Sequence, residues 1–177
     1  MTRGPLSKSG LSVPDEPTYH PKQYAQAIRE IGHMGWTVVT VDEPGSPRGL
    51  IRAYTMGMSE YGNEPELLAY GIVRRKLAAV LQELGNRFVR FEGGGVPQDM
   101  LIEGLRDDPP LIAKRVPARV AKQVAPWAAI RAREVGTSLS LLQLVWPDNR
   151  DRYPWDPHYD RIHGRSGPWL YQRGKIP

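Results

Sequence analysis

Acidic and histidine side chains are concentrated near the C-terminus, where they could take part in metal or acid–base chemistry. In chain order they are Asp148, Asp151, Asp156, His158, Asp160 and His163. Carboxylates and imidazoles can bind a divalent metal or transfer protons. The spacing of the two histidines does not place them on one helix face, and no glycine with a distal glutamate completes a calcium loop. We therefore predict no metal site and no cofactor. A solvated, salt-bridged loop is the alternative for this segment.

Two glycine-containing segments follow expected strands and could support catalysis or phosphate binding. Ser59 comes after Gly57 as in a nucleophile elbow, but Tyr61 stands where that motif needs a second glycine. The triplet at 93–95 could turn backbone amides toward an anion, yet it completes neither a dinucleotide fingerprint nor a Walker motif. A kinked strand end or cleft wall is the alternative for the first segment, and a flexible loop for the second. No catalytic residue is assigned.

The end of an apolar run, Trp146-Pro147-Asp148, is the place where we expect a ligand cleft, since sites gather at the ends of central strands. The cleft would lie between this corner, a strand end near Tyr54 and the Glu64-Pro65-Glu66 segment. Its lining residues would be Tyr54, Thr55, Gly57, Glu66, Trp146, Asp148 and Trp155. Alternatively, Trp146 covers the core and Asp148 caps a turn.

Positive charge is concentrated in residues 111–135, within a chain of net charge +5 and pI about 9.6. Helical spacing turns Val120, Val124, Trp127 and Val135 toward a core, so that three cations share the outer face: Arg119, Lys122 and Arg133. Either acidic residues from 36–110 neutralise this face or an anionic partner does, such as a nucleic acid, a nucleotide or an acidic protein. A third explanation is solubility alone.

The C-terminal residues mix aromatic side chains with arginines, notably Trp155, Tyr159, Trp169 and Tyr171. Such residues can stack on bases and contact phosphates, bind a protein partner, or fix the tail to its own domain. The sequence leaves these three interpretations open.

Hydrophobic periodicity indicates which elements position these residues. We expect helices over 21–33, 74–84 (closed by Gly85-Asn86) and 120–135, the last kinked or divided at Pro126. We expect strands over 36–42, 50–58 (antiparallel to the first), 67–72, 88–92, 100–103, 111–116 and 139–146, the last of them buried and central. The prediction is a single α+β domain over 21–157 with a mostly antiparallel or mixed sheet and two to four helices, between a flexible arm (1–20) and an irregular basic, aromatic tail (158–177).

Three fragments resemble a known family. They are Gly35-Trp36, then Ala53-Tyr54-Thr55-Met56-Gly57-Met58 with Glu64-Pro65-Glu66-Leu67, and then Leu142 to Asp148 with Tyr153-Pro154-Trp155. Together they resemble the bacterial and phage family known as domain of unknown function 4262, over about residues 36–157. The resemblance implies one folded unit and supplies no activity. It also marks a departure, since this chain has Glu64 where the family usually has histidine.

These observations predict a cytoplasmic binding or accessory protein of bacterial or phage origin. No secretory signal and no membrane-spanning run is visible. The expected ligand is a small anion or a protein partner in the cleft. The alternatives are a hydrolase or transferase that uses Glu66, Asp148 and a tail histidine on a nucleotide-like substrate, and a nucleic-acid-binding protein that uses the 111–135 stretch.

Overall fold

The computed structural model describes residues 20–43, 45, 49–60, 64–90, 95–105, 109–160 and 167–171 of the 177-residue chain. Residues 1–19 of the predicted arm (1–20) and most of the triplet at 93–95 lie outside these ranges. Four helices are present in the described part: α1 (Pro21–Met34), α2 (Arg74–Arg90), α3 (Ala118–Val124) and α4 (Pro126–Glu134). The strands are β1 (Thr37–Asp42), β2 (Ile51–Met56), β3 (Glu66–Gly71), β4 (Leu101–Ile102), β5 (Leu111–Arg115) and β6 (Leu141–Val145), with a 3-10 turn at Met58–Glu60.

The strands form one mixed sheet in the order β1-β2-β3-β6-β5-β4. Only β3 and β6 are parallel, and every other neighbouring pair is antiparallel, including the predicted β1–β2 pair. All five residues of β6 are buried, because β3 and β5 flank this strand and both faces of the sheet are covered. The prediction of a buried central strand at the apolar run is therefore confirmed.

Helices cover the sheet on both faces, which gives three layers with a core on each side. The helix α2 packs on one face through Leu77, Val80, Leu81 and Leu84. On the other face α1, α3 and α4 pack over Tyr54, Leu68 and Tyr70. No helix among the described residues has the length and apolar character that a membrane crossing requires. The architecture confirms the predicted α+β fold.

The predicted end of α2 at Gly85-Asn86 is wrong, and so is a strand starting at Phe88. The helix continues to Arg90, and residues 91–92 lie outside the described part. Gly85 is a helix-interior residue because the ring of Trp36 occupies its Cβ position: an added Cβ would lie 2.4 Å from the indole carbons. This glycine permits a close approach and does not end the helix.

The basic stretch divides into two short helices at Pro126, as predicted, with Pro126 in the first turn of α4. The fully buried stripe along α3 and α4 consists of alanines: Ala121, Ala125, Ala128 and Ala132. Val120, Val124 and Trp127 are only partly buried beside this stripe. The prediction for Val135 is wrong, since it follows the end of α4 and is 36% exposed.

Candidate functional site

Glu66 begins β3, and its side chain is buried with only 1% of the residue exposed. One carboxylate oxygen accepts a hydrogen bond from the Thr55 hydroxyl at 2.7 Å. The other accepts from the backbone N–H groups of Gly57 at 2.9 Å and Ser59 at 3.1 Å, and from the Ser59 hydroxyl at 3.2 Å. The Thr55 hydroxyl oxygen in turn accepts the N–H of Leu67 at 2.8 Å. The carboxylate therefore fixes the turn that follows β2.

Burial raises the pKa of Glu66 above its ordinary value of 4.5, and hydrogen bonds from Thr55, Ser59 and Gly57 offset only part of that rise. No lysine or arginine of the described ranges forms an ion pair with it. A raised pKa is typical of general acids. Here it comes from desolvation inside the core, where the carboxylate has four protein donors and no open face toward a substrate.

Tyr54 and Gly57 are also core residues. Tyr54 is 1% exposed, and its hydroxyl forms a hydrogen bond with the backbone of Trp127 in α4. Burial raises the pKa of this tyrosine well above its usual range. Gly57 has φ +109°, and an added Cβ would lie 2.9 Å from the carbonyl oxygen of Gly35. The close backbone approach at Gly57 is therefore made by the chain itself.

The Trp146–Asp148 corner is held by a second, separate network. Trp146 is 4% exposed and belongs to the core beneath α2. One oxygen of Asp148 accepts the N–H groups of Arg150 at 2.8 Å and Arg152 at 3.0 Å. The other accepts the Asp160 N–H at 2.9 Å and pairs with the Arg152 guanidinium at 2.7 Å. This is the arrangement of a carboxylate that caps a turn.

The pKa of Asp148 reflects two opposing effects. Burial alone would raise it, but hydrogen bonds from the Arg152 side chain and from the N–H groups of Asp160, Arg150 and Arg152 hold the pKa well below its ordinary 3.8. Asp148 is therefore an ionised residue that organises residues 148–160. All of its described contacts are internal.

Trp155 is the one predicted cleft residue that is partly exposed. Tyr153 stacks on it with ring centroids 5.0 Å apart, and Tyr171 meets it edge-on at 6.2 Å. The Lys114 ammonium lies 4.7 Å from the centre of the indole ring. These contacts attach the tail aromatics to their own domain, which is one of the three interpretations left open by the sequence.

The structure brings some of the predicted cleft residues together and keeps others apart. Thr55, Gly57 and Glu66 share one network, while Asp148 belongs to another. The hydrolase alternative needed the two carboxylates to converge with a tail histidine. The two acids share no partner, His158 is exposed, and His163 lies outside the described ranges. A ligand cleft at these residues stays a prediction, and the geometry gives the hydrolase alternative no support.

Comparison with known families identifies the chain at the level of a domain. The family model described as Domain of unknown function (DUF4262) matches residues 30–160. The chain belongs to the DUF4262 family. No curated protein matches the chain, and no solved structure matches it either. The resemblance inferred from the three sequence fragments is therefore confirmed.

In this DUF4262 domain, Glu64 lies beside the glycine loop that was considered for anion binding. Its carboxylate accepts the N–H of Val96 at 3.4 Å. A Cβ added to Gly95 would lie 2.4 Å from the same carboxylate. A protein anion thus already occupies the space next to Gly95, which disfavours phosphate there.

The remaining candidates of this DUF4262 domain are placed as follows. Ser59 is 6% exposed, and its hydroxyl contacts Glu66. Within the described ranges no group of three His, Asp or Glu side chains is close enough to hold a metal ion. The predicted absence of a metal and of a cofactor is left untested by these contacts.

The basic stretch is neutralised only in part by acids from residues 36–110. Lys114 pairs with Asp99 at 2.5 Å, and Arg131 forms a two-point pair with Glu60 at 2.6 and 2.8 Å. The three cations predicted for the outer face are exposed, and none has an acidic partner in the described part of the chain: Arg119, Lys122 and Arg133. The structure thus separates paired from unpaired cations within one stretch.

Sequence reasoning missed a role for Gln143, which lies in the middle of β6 and is 1% exposed. Its amide nitrogen donates to the carbonyl of Pro168 at 2.8 Å, and its amide oxygen accepts the N–H of Leu170 at 2.9 Å. The available signal was a single strongly polar residue in an otherwise apolar strand. A buried amide needs partners, and the tail supplies them.

Proposed function

We propose that this protein is a non-catalytic, cytoplasmic binding protein of bacterial or phage origin, and that its ligand is the phosphate backbone of a nucleic acid. The binding surface would be the outer side of the layer formed by α1, α3 and α4. One observation carries the proposal, namely that this layer exposes five cations without an acidic partner among the described residues: Lys22, Arg29, Arg119, Lys122 and Arg133.

The same layer exposes fewer acids than cations. Its exposed carboxylates are Glu30 and Glu134. Glu30 accepts hydrogen bonds from Thr37 at 2.5 Å and Gln26 at 3.1 Å. Glu134 accepts from the Tyr24 hydroxyl at 2.8 Å. These donors are neutral, so both carboxylates keep their charge, and Glu134 also lies 3.9 Å from Arg131. Five cations without a described acidic partner, against two carboxylates, leave the surface with an excess of positive charge, which favours a polyanion.

Non-specific binding through phosphates fits this surface better than base recognition does. Sequence reading needs side chains that reach base edges, and binding to single strands uses exposed aromatic platforms. The aromatic residues Tyr153, Trp155 and Tyr171 contact one another, and the Lys114 ammonium lies over the ring of Trp155. Phosphate contacts alone give Kd values of about 10⁻⁴ to 10⁻⁶ M at physiological salt.

The test is binding of a fluorescent DNA duplex as a function of salt. Five phosphate contacts give a slope of log K against log salt of about −4.5, since each contributes about −0.9. The triple variant Arg119→Gln, Lys122→Gln, Arg133→Gln should weaken binding and bring the slope to about −2.

A matched triple variant controls for net charge. Arg75→Gln, Lys76→Gln and Arg150→Gln change three exposed residues that lie outside the α1/α3/α4 layer. This variant should keep most of the wild-type slope of log K against log salt. Equal losses in the two variants would show that net charge alone drives binding. No duplex binding, together with salt-sensitive capture of an acidic protein, would assign the surface to a protein partner and refute the proposal.

A further inference from the structure

The segment Gly167–Tyr171, hereafter the strap, lies over the central strand of the sheet. Its hydrogen bonds to that strand are made by its backbone. Gln143 donates to the carbonyl of Pro168 and accepts the N–H of Leu170. These two groups flank Trp169, which is the pattern by which one residue of a strand pairs with a parallel neighbour. A buried side-chain amide thus takes the place of a strand backbone.

Side-chain contacts make the same surface selective for particular residues of the bound segment. A Cβ on Gly167 would lie 2.4 Å from the Cβ of Tyr70, so this position accepts only glycine. Trp169 meets the ring of Tyr159 edge-on at 5.8 Å. Leu170 packs against the core on the α1/α3/α4 side. The surface therefore favours an extended segment that has glycine two residues before an aromatic residue over segments without this spacing.

One polar group of this surface has no hydrogen-bond partner among the described residues, the strap included. Tyr159 is 8% exposed, and its hydroxyl has no hydrogen-bond partner in the described part of the chain. A buried hydroxyl without a partner is unfavourable. A segment that supplied a donor or acceptor to this hydroxyl would be held better than the strap.

From these contacts we propose that the surface formed by Gln143, Tyr70 and Tyr159 is a peptide-binding groove, which the strap fills in the free protein. The partner would be an extended peptide of another protein, with glycine two residues before an aromatic residue and an apolar residue after it. Backbone recognition with side-chain selectivity at alternate positions is how proteins bind strand-like peptides. This inference is independent of the proposed nucleic-acid binding, which uses other residues.

The test uses the full chain with both strap anchors removed, Trp169→Ala with Leu170→Ser. Loss of protection from hydrogen exchange at the residue 170 amide shows that the strap is released. The probe is a capped, fluorescent peptide with the sequence Gly-Pro-Trp-Leu-Tyr. It should bind the variant at least about tenfold more tightly than the wild type, because a strap in the same chain competes at an effective concentration near millimolar.

Two controls distinguish specific binding of the peptide in the groove from non-specific binding to an apolar surface. A peptide with valine in place of its glycine should not bind, because Tyr70 leaves no room for the side chain. Adding Gln143→Leu to the variant should abolish binding of the glycine peptide, with circular dichroism to check the fold. If Gln143→Leu prevents folding, the two peptides still decide the question.

Two results of the peptide assay would overturn the inference. One is equal binding of the glycine and valine peptides by the released variant. The other is no binding of either peptide. A wild-type dimer formed by strap exchange between copies would identify the partner as a second copy of this chain, and would refute the assignment to a separate protein.

Discussion

The indole ring of Trp36 lies against the backbone of Gly85 in α2, within 2.4 Å of the position that a Cβ would take. This contact joins the residue that precedes β1 to the middle of a helix. It explains why glycine stands at a site where alanine is the better helix former.

Gly85→Ala should therefore destabilise the protein by about 1–3 kcal/mol, because the methyl group overpacks the core. Helix propensity alone would give a gain of about 1 kcal/mol. Gly32 in α1 is the matched control, since no atom lies within 4 Å of its Cβ position. Gly32→Ala should stabilise, and urea unfolding measures both. A stable Gly85→Ala protein would refute the packing argument.

Leu142→Ala should lower the free energy of unfolding by about 2–5 kcal/mol, because it opens a cavity in the centre of the sheet. Leu101 on the edge strand β4 is the control, since it is 53% exposed. Leu101→Ala should change stability by no more than about 0.5 kcal/mol. Chemical denaturation of both variants tests the contrast. A loss below about 1 kcal/mol at Leu142 would argue against a central position for β6.

Glu66→Gln should flatten part of the pH dependence of stability. Because the folded pKa of Glu66 is raised above 4.5, its contribution is fully present below pH 4.5 and is lost as the pH rises through the folded pKa. Glutamine keeps an oxygen toward Gly57 and Ser59, but its amide nitrogen cannot accept the Thr55 hydroxyl and must donate to that oxygen instead. The cost of this change is the same at every pH, so it does not alter the predicted pH dependence. The free energy of unfolding of the variant should rise relative to that of the wild type as the pH increases from about 4 to 8. Urea unfolding at each pH measures this difference. Parallel stability curves across that range would show that Glu66 does not titrate as described.

Asp148→Asn should have the opposite pH dependence. The folded pKa of Asp148 lies below 3.8, so its stabilisation is present above pH 3.8 and is lost as the pH falls through the folded pKa. The deficit in melting temperature should be large near pH 7 and should shrink near pH 3. Asp151→Asn is the control, because this exposed residue has φ +57°, a conformation that asparagine tolerates. Equal effects of the two substitutions would show that the loss of charge alone is responsible.

The sequence predicted those parts of the fold that local patterns encode. The β-branched run at Thr37–Asp42 and the apolar run at Leu141–Val145 became strands, since their side chains suit a pleated, buried surface. Pro126 divided the basic stretch into two helices because proline lacks the N–H that a helix interior uses. The three family fragments were also readable in advance, and they identified the domain.

Only the tertiary structure decided what the polar residues do. Glu66 and Asp148 looked alike as candidate site residues, yet burial raises the pKa of one, while arginine and backbone donors lower the pKa of the other. Lys114 and Arg131 are paired with distant acids, whereas Arg119, Lys122 and Arg133 have no acidic partner among the described residues. Gln143 holds a strap more than twenty residues away along the chain. Local sequence patterns report propensity and periodicity. The partners of a buried polar group come from distant parts of the chain, so only the folded arrangement determines its charge state and its role.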